Sequence, residues 1–546
     1  MCRGVSPGSV LGRPAGLRAT PRAASQRRRW RSGHAGTALR RLLGVGGLAV
    51  LSLLLTCAPL AAQAPPDKNL GTLTLADCVV LALRNNLDVR SAYLNRIVQR
   101  FGLRIAEYAY EPQSFLQTSS QASKAYATHT EGGTQTFNAT TSLVVPTGGK
   151  FGFTWGTVLG AHPDWHKEPI YNSAWQFNFI QPLLKGGGLD PQGRVVALAP
   201  LTLAWTAEAQ NVLALKQTLI GVINTTAQDY RAYVQAQRQL EISRLSLERA
   251  KQLVETNREL IRAGRMAEVE LVQADADIAN RELSLLQAQN SLEAARLTLV
   301  QVLNIDRDAT FSVVEEVGIK VPVPSVQQAV SLALENRPDY LSAVKSLESA
   351  KLSLAVAARG RLWDLSFGSV VGRTTPTTNH FPPALWGSTQ FGRVDWTTTL
   401  TLTIPIRDLT IEQAYVNAKV GVEQAALALK RLEINVGIDV TNAVRDAEIK
   451  ARQVDIAAQA RQLAEQKLRI EAEKLRAGRS SNFQIVSFQN DLVTAQVAEL
   501  DANVAYLNAL TQLDNVLGTT LQTWRIEVSP EDDAARTWVS QPAPVR

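Results

Sequence analysis

The stretch Leu260-Ile261-Arg262-Ala263-Gly264-Arg265 returns 214 positions later as Lys474-Leu475-Arg476-Ala477-Gly478-Arg479. In both places a long run poor in Gly and Pro stops at Arg-Ala-Gly-Arg, and a second long run starts at once. Gly readily takes the left-handed conformation that ends a helix. Each copy therefore reads as a tight hairpin of two long helices, with turns at 262–265 and 476–479. Glu268 and Asn482 fall near the start of the second arms, where a carboxylate or amide meets free N–H groups. Leu201 to Ala263 holds no proline and as one helix spans about 90 Å. Apolar residues recur every seventh position along the arms: Leu240, Leu247, Val254 and Ile261, then Leu271, Ile278, Leu285, Leu292 and Leu299. The second copy has Ile449, Ile456, Leu463 and Ile470, then Ile485, Leu492, Tyr506 and Leu513, with Glu499 breaking the register. A sustained seven-residue repeat predicts left-handed coiled-coil packing.

The front of the chain is of another kind. Residues 1–64 hold ten Arg and no Asp, Glu or Lys, and an apolar run from Leu42 to Ala62 follows Arg40-Arg41. Small residues around Ala62-Gln63-Ala64 complete the pattern of a secretory signal. Cleavage there is favoured over lipidation at Cys57, because Thr56 directly before the Cys fits a lipoprotein box poorly. The formal charge of +8 becomes about −2 once the ten Arg are set aside, so the basic balance gives no argument for nucleic-acid binding. Cys2 and Cys57 lie in this leader, leaving Cys78 alone and no disulfide framework. No later stretch has the ~18 unbroken apolar residues of a membrane helix. A membrane crossing by this chain has to use strands.

The remainder is a duplication. Thr74-Leu75-Ala76-Asp77-Cys78-Val79-Val80-Leu81-Ala82-Leu83-Arg84-Asn85 aligns with Ser325-Val326-Gln327-Gln328-Ala329-Val330-Ser331-Leu332-Ala333-Leu334-Glu335-Asn336. Both open on a hydroxyl cap residue with an apolar helical face behind it. Each repeat then predicts a short helix, a medium helix, a strand-rich segment, a long helix, the turn and a second long helix. The repeats cover 72–305 and 324–519, with a tail at 520–546. Their strand segments lie at about 113–184 and 362–405. Val394, Trp396, Thr398, Leu400, Leu402 and Ile404 alternate with Asp395, Thr397, Thr399, Thr401 and Thr403. Trp175, Phe177 and Phe179 alternate with Gln176 and Asn178, and Phe151, Phe153 and Trp155 with Gly152, Thr154 and Gly156. Strands apolar on one face and polar on the other, with aromatics near their ends, are the pattern of a transmembrane barrel. A half-buried strand of a soluble sandwich gives the same alternation, but several such strands between very long helices favour the barrel. A bilayer allows no unpaired strand edges, so the four to six strands of one chain must close with those of others.

With these motifs in hand, the chain resembles the TolC-like outer-membrane efflux protein family over roughly Thr72 to Thr519. The resemblance rests on the duplicated Leu-Ala-Leu-x-Asn stretch, the paired Ala-Gly-Arg hairpins and Gln181-Pro182-Leu183-Leu184-Lys185-Gly186-Gly187-Gly188 closing the first strand segment. It implies an α+β membrane protein in which three protomers share one β-barrel in the outer membrane. Long helices continue that barrel as a coiled-coil α-helical barrel across the periplasm. The implied function is a passive, gated exit duct of a tripartite efflux pump or type I secretion system. The implied partners are a homotrimer, outer-membrane lipid, a periplasmic adaptor and, through it, an inner-membrane transporter. The first strand segment departs from the family's two strands per repeat. It has an extra hairpin around Pro146-Thr147-Gly148-Gly149-Lys150, which either adds strands to the barrel or projects from its surface.

The turns supply the candidate site. The resemblance makes them the periplasmic tip, where the gate lies and the adaptor docks. Arg262, Gly264, Arg265, Arg476, Gly478 and Arg479 are the docking candidates, a positive rim suited to acidic or carbonyl partners. Family members place carboxylates just past the turns; Gln484 and Ser487 stand at the matching second-copy positions, and the first copy offers Glu270 and Gln273. In a trimer Glu270 forms a ring of three like charges that favours cations; as a residue of a first helical turn it is equally suited to the helix dipole. His162 and His166 beside Pro163-Asp164-Trp165 read as surface residues rather than metal ligands, and no phosphate loop or nucleophile motif is present. The chain is expected to be no enzyme and to need no cofactor. The rival reading is a periplasmic coiled-coil tether or adaptor without a pore.

Overall fold

The computed structural model describes residues 69–125, 130–162, 170–188, 195–314, 323–375, 387, 394–477 and 479–528, all within one unit, Pro66–Arg546. The leader with Cys57, the tail beyond residue 528, Gly478, His129, His166 and His380 lie outside the described residues. The first repeat runs β1 (Asn69–Leu73), α1 (Leu75–Asn85), α2 (Leu87–Tyr108), β2 (Gln113–Ala125), β3 (Thr130–Val144), β4 (Lys150–His162), β5 (Ile170–Pro182), α3 (Ala199–Arg262) and α4 (Val269–Leu303). After β6 (Thr310–Val313) the second runs α5 (Val326–Asn336), α6 (Pro338–Gly360), β7 (Asp364–Thr374), β8 (Asp395–Thr403), α7 (Leu409–Arg476) and α8 (Asn482–Leu517), with a short α9 (Thr520–Thr523) behind it.

Local signals explain the short helices. Thr74 caps α1: its side chain accepts from the Asp77 amide, and Asp77 reaches back to the Thr74 amide at 3.0 Å. Ser325, its counterpart, makes no such cap; its hydroxyl instead lies 2.9 Å from Gln328 Oε1. Asn86 ends α1 and caps α2 by accepting from the amides of Asp88 and Val89. Two packed cores follow. In the first, α1 lays Cys78, Val79 and Ala82 against Leu219, Ile223 and Ala227 of α3 and Leu299 and Leu303 of α4, with Leu521 closing it. The parallel pair β1–β6 lies beside this core, and the buried Tyr230 hydroxyl donates to Val314 O at 2.5 Å. In the second, Ala329 and Ala333 of α5 meet Val436, Val440 and Val444 of α7 and Leu513 and Leu517 of α8.

Helices α3 and α7 have 64 and 68 residues, about 96 and 102 Å at 1.5 Å per residue. Three of the four heptad stripes turn inward. Leu240, Leu247 and Val254 of α3, Leu299 of α4, and Ile485, Leu492, Tyr506 and Leu513 of α8 are buried. The α7 stripe does not follow the expectation: Ile449, Ile456, Leu463 and Ile470 are 46–66% exposed. α7 meets its own partner through another stripe, Val436, Val440, Val444, Ala447 and Leu475, so its seven-residue repeat is not the seam of the α7–α8 hairpin. Glu499, the break in the α8 stripe, sits 2.5 Å from Arg461 Nε of α7.

Six strands form one antiparallel sheet in the order β2-β3-β4-β5-β7-β8. The extra hairpin therefore belongs to the sheet: β3 and β4 pair from Val144↔Lys150 outward, through a turn in which the Val145 amide donates to Gly149 O at 2.8 Å. Among the described residues, no helix is long and apolar enough to cross a membrane.

The repeats close alike. α4 ends at Asn304 and α8 at Gly518, both left-handed, with φ of 49° and 73°. Each end rests on the break after the short helix of its own repeat: Asn304 Nδ2 donates to Asn85 O at 3.0 Å, and a Cβ on Gly518 would lie 2.8 Å from the Arg337 amide nitrogen. Gly518→Ala therefore combines a left-handed backbone with a clash and should cost about 1–3 kcal/mol. A lowered Tm in thermal unfolding checks it, and an unchanged Tm would show that the break can yield.

Candidate functional site

The first turn is built as its sequence suggests. The Ala263 amide donates to Glu259 O, the Gly264 amide to Ile261 O at 2.9 Å, and the Arg265 amide to Leu260 O at 2.9 Å, with Gly264 at φ 67°. That pattern satisfies the last free carbonyls of α3. In the second turn the Ala477 amide donates to Glu473 O at 3.1 Å and the Arg479 amide to Lys474 O at 2.8 Å, the counterparts of the Ala263 and Arg265 bonds. Arg262, Arg265, Arg476 and Arg479 are all exposed, so both turns present their charges outward.

The helix starts differ from expectation. Glu268 sits at the N-cap of α4 but makes no capping bond, because its own backbone is helical at φ −60° and ψ −28°. The cap of α8 is Ser481, whose hydroxyl accepts from the Gln484 amide at 3.4 Å. Asn482 is wholly buried and does something else: its Oδ1 accepts from Asn257 Nδ2 at 2.9 Å, and its Nδ2 donates to Glu270 O at 3.2 Å. It thus ties α3, α4 and α8 together just behind the tip. Leu253, Leu475 and Ile485 pack beside it, with Met266 and Leu468 around them. Of the gate candidates, Gln484 is exposed, and Gln273 and Ser487 are half-buried. Glu270 Oε2 is buried, with no hydrogen-bond partner among the described residues.

A second tie lies two turns further in. Arg281 of α4, 6% exposed, is held by Asp277 at 2.6 Å and by the Ser246 hydroxyl of α3, and its Nη2 donates to Asn490 Oδ1 of α8 at 3.0 Å. Above it, Arg231 of α3 donates to Leu507 O, Asn508 Oδ1 and Thr511 Oγ1 of α8 at 3.1, 3.2 and 2.7 Å. The two hairpins are therefore joined by buried polar groups, which lose far more when broken than when absent. Sequence reasoning missed these residues. The available signal was a charged residue, Arg281, set among apolar positions of α4 and four residues after Asp277.

At the second turn, Glu471 of α7 accepts from the Ser480 hydroxyl at 2.7 Å and pairs with Lys474 Nζ at 2.9 Å. The Ser480 hydrogen bond, and then Lys474, hold its carboxyl below the usual 4.5.

At the other end of the long helices lies the sheet. Phe137, Phe151, Phe153, Trp155, Trp175, Phe177, Phe179, Phe367, Val371, Trp396 and Leu400 share one face through the strand register. Their rings stack or meet edge-on across strands: Phe151–Phe179 at 4.5 Å, Phe153–Phe177 at 4.6 Å and Phe137–Trp155 at 5.8 Å. Phe177, Trp396 and Leu400 are 52–74% exposed, and a contiguous exposed apolar surface marks an interaction site. The opposite face carries Asn138, Thr140, Thr154, Gln176, Asn178, Ser366, Thr399 and Thr401. There Asn178 fills the space over Gly152, and Asn138 that over Gly156.

Low pH should loosen the second turn. A depressed carboxyl stabilises the fold above its ordinary pKa, and that contribution disappears as pH falls through the folded value. Amide exchange at Ser480–Asn482 should therefore quicken, relative to the first turn, as pH drops below about 4.5. Glu471→Gln should abolish this pH dependence; persistence in the variant would assign it elsewhere.

Comparison with known proteins fits this geometry. Residues 329–519 match the family model described as outer membrane efflux protein, and no curated protein matches the chain. Among solved structures, the Campylobacter jejuni CmeC outer membrane channel superposes with a TM-score of 0.59 at 18% identity, over 85% of this chain and 88% of that one. The outer membrane protein VceC of Vibrio cholerae gives 0.60 at 17%, over 81% and 96%. The open state of the Neisseria gonorrhoeae MtrE outer membrane channel gives 0.58 at 16%, over 81% and 88%. Residues 329–519 thus resemble an outer membrane efflux protein, and the chain as a whole has the fold of these outer membrane channels.

Proposed function

We propose that three copies of this chain form a passive outer-membrane exit duct, its β-barrel shared between protomers and its gate at the helical tip. The observation that carries this reading is the two-faced sheet set beyond helices about 100 Å long. A pore-free periplasmic tether accounts for the helices but leaves the aromatic face exposed to water. The apolar face suits lipid, the hydroxyl and amide face suits an aqueous lumen, and strands of 9 to 15 residues reach the ~9–11 needed to span a bilayer. The exposed stripe Ile449, Ile456, Leu463 and Ile470 of α7 supports the trimer, because nothing in its own hairpin covers it. Exposed Val272, Leu283, Leu286 and Leu297 on α4 offer a matching surface for the neighbouring protomer.

At the tip, the exposed arginines dock a periplasmic adaptor, which links the duct to an inner-membrane transporter that supplies the energy. Arg281–Asn490 and Asn257–Asn482 hold the hairpins together in one chain, so an iris-like opening has to move them as a body or break these bonds. Glu270 supplies the charge at the constriction.

The purified protein should run as a trimer by light scattering in mild detergent and conduct in a planar bilayer; a folded monomer without conductance overturns the reading. Glu270→Gln should lower cation selectivity severalfold and weaken block by divalent cations, and unchanged values would leave Glu270 a helix-start residue only. Charge reversal at Arg265 and Arg479 should impair export severalfold while trimer and insertion persist. Undiminished export would remove the docking role.

A further inference from the structure

The resemblance implies two strands per repeat, hence four per chain, whereas the sheet has six. The surplus lies in the first repeat, where the Pro146–Lys150 turn joins the hairpin β2–β3 to β4. We infer that the β2–β3 hairpin is part of the barrel wall, so that three sheets of six strands close a ring of 18, with the protomer seam between β8 of one copy and β2 of the next. This rests on the shared-barrel reading above.

The ladder carries the argument. A 12-stranded ring would need β4 as the edge strand that meets β8 of a neighbour. Both sides of β4 are already taken, by β3 from Lys150 to His162 and by β5 from Lys150 to Ala161. Freeing β4 would strip a full strand of backbone hydrogen bonds inside a bilayer, where no water replaces them. The β3–β4 seam is also matched on both faces. Phe137 meets Trp155 edge-on on the apolar side, while on the polar side Asn138 Oδ1 lies 2.5 Å from where a Cβ on Gly156 would stand. β2 continues the pattern: Leu116 stands opposite Ala139, and hydroxyl pairs join Ser114 to Thr141 at 2.8 Å and Ser119 to Thr136 at 2.5 Å. The Ser114–Thr141 pair lies on the apolar face, where the two hydroxyls satisfy each other and cost little in lipid. At 13 and 15 residues, β2 and β3 are as long as β4 and β5, a length that a surface projection has no reason to match.

Pore width follows from strand number. With strands ~4.8 Å apart and tilted ~40°, 18 strands give a backbone diameter of about 36 Å, against about 24 Å for 12. Barrels of 16–18 strands hold an aqueous channel. On the described polar face, charges occur only near the strand ends, at Lys150, Asp364 and Asp395. Such a lumen passes bulky solutes of either charge, extended or helical polypeptide included.

Cysteine cross-linking between protomers tests this. Cys78 is buried with its thiol pushed up to about 12, so it stays silent, and single-cysteine variants set the background. Thr399→Cys in β8 is combined in turn with Gln117→Cys or Ser119→Cys in β2, and with Thr154→Cys or Val158→Cys in β4. Membranes are treated with a short bifunctional maleimide. Covalent dimers and trimers from the β2 pairs, with none from the β4 pairs, are expected. Cross-linking from the β4 pairs alone would leave the shared barrel standing with 12 strands and overturn the wider ring. No cross-linking from either set, with the protein inserted in the membrane, would overturn the shared barrel itself.

Discussion

Each long helix of this protein can hide only part of its surface within its own chain. Helices α3 and α7, of 64 and 68 residues, have hairpin partners of only 35 and 36, and a two-helix hairpin buries one stripe of each member. For α3, contact with α8 supplies a second buried stripe in places, through Arg231, Ser246 and Asn257. For α7, the other stripe stays apolar and uncovered. The sheet has the same problem in another form, an apolar face and two end strands with unpaired backbone. In the trimeric duct proposed above, lipid and sister chains answer both needs at once.

The two hairpins are similar in length and order but unequal in detail. Both second arms end in a left-handed residue resting on the break between two short helices, Asn304 in one repeat and Gly518 in the other. The polar ties are not repeated. Arg281 sits in α4 and reaches across to Asn490, while its counterpart 214 positions later in α8 is Ala495. The first hairpin supplies both arginines, Arg231 and Arg281, while Asn482 of the second donates back to Glu270 O. The strand segments differ further, with four strands in the first repeat and two in the second among the described residues.

Much of this was legible in the residues. The Ala-Gly-Arg turns, the proline-free runs and the two-faced strands announce themselves through backbone preference and periodicity, which are local properties. Arg281, Asn257 and Asn482 were not legible, because their roles depend on which helices meet, and a lone Asn near a helix start reads as a cap. The α7 repeat shows how periodicity misleads: Ile449, Ile456, Leu463 and Ile470 keep a true heptad, but a heptad says that a stripe is covered and not by which helix. The placement of the hairpin around Pro146–Lys150 became decidable only when β3 was seen paired with β4.

The first core has a consequence for how the chain comes to be folded. Its members include Leu73 and Cys78 near the start of the described chain and Leu521 near its end, with Trp524, Ile526 and Val528 packed against it. A chain delivered N-terminus first presents Leu219, Ile223 and Leu299 long before the residues that seal them. Until then the half-made core offers apolar surface to any neighbour, the condition under which large chains aggregate. The last described helical turn thus acts on the first repeat as a late bolt. Synthesis cut short even a few residues before Leu521 leaves two complete hairpins and a core still open to water.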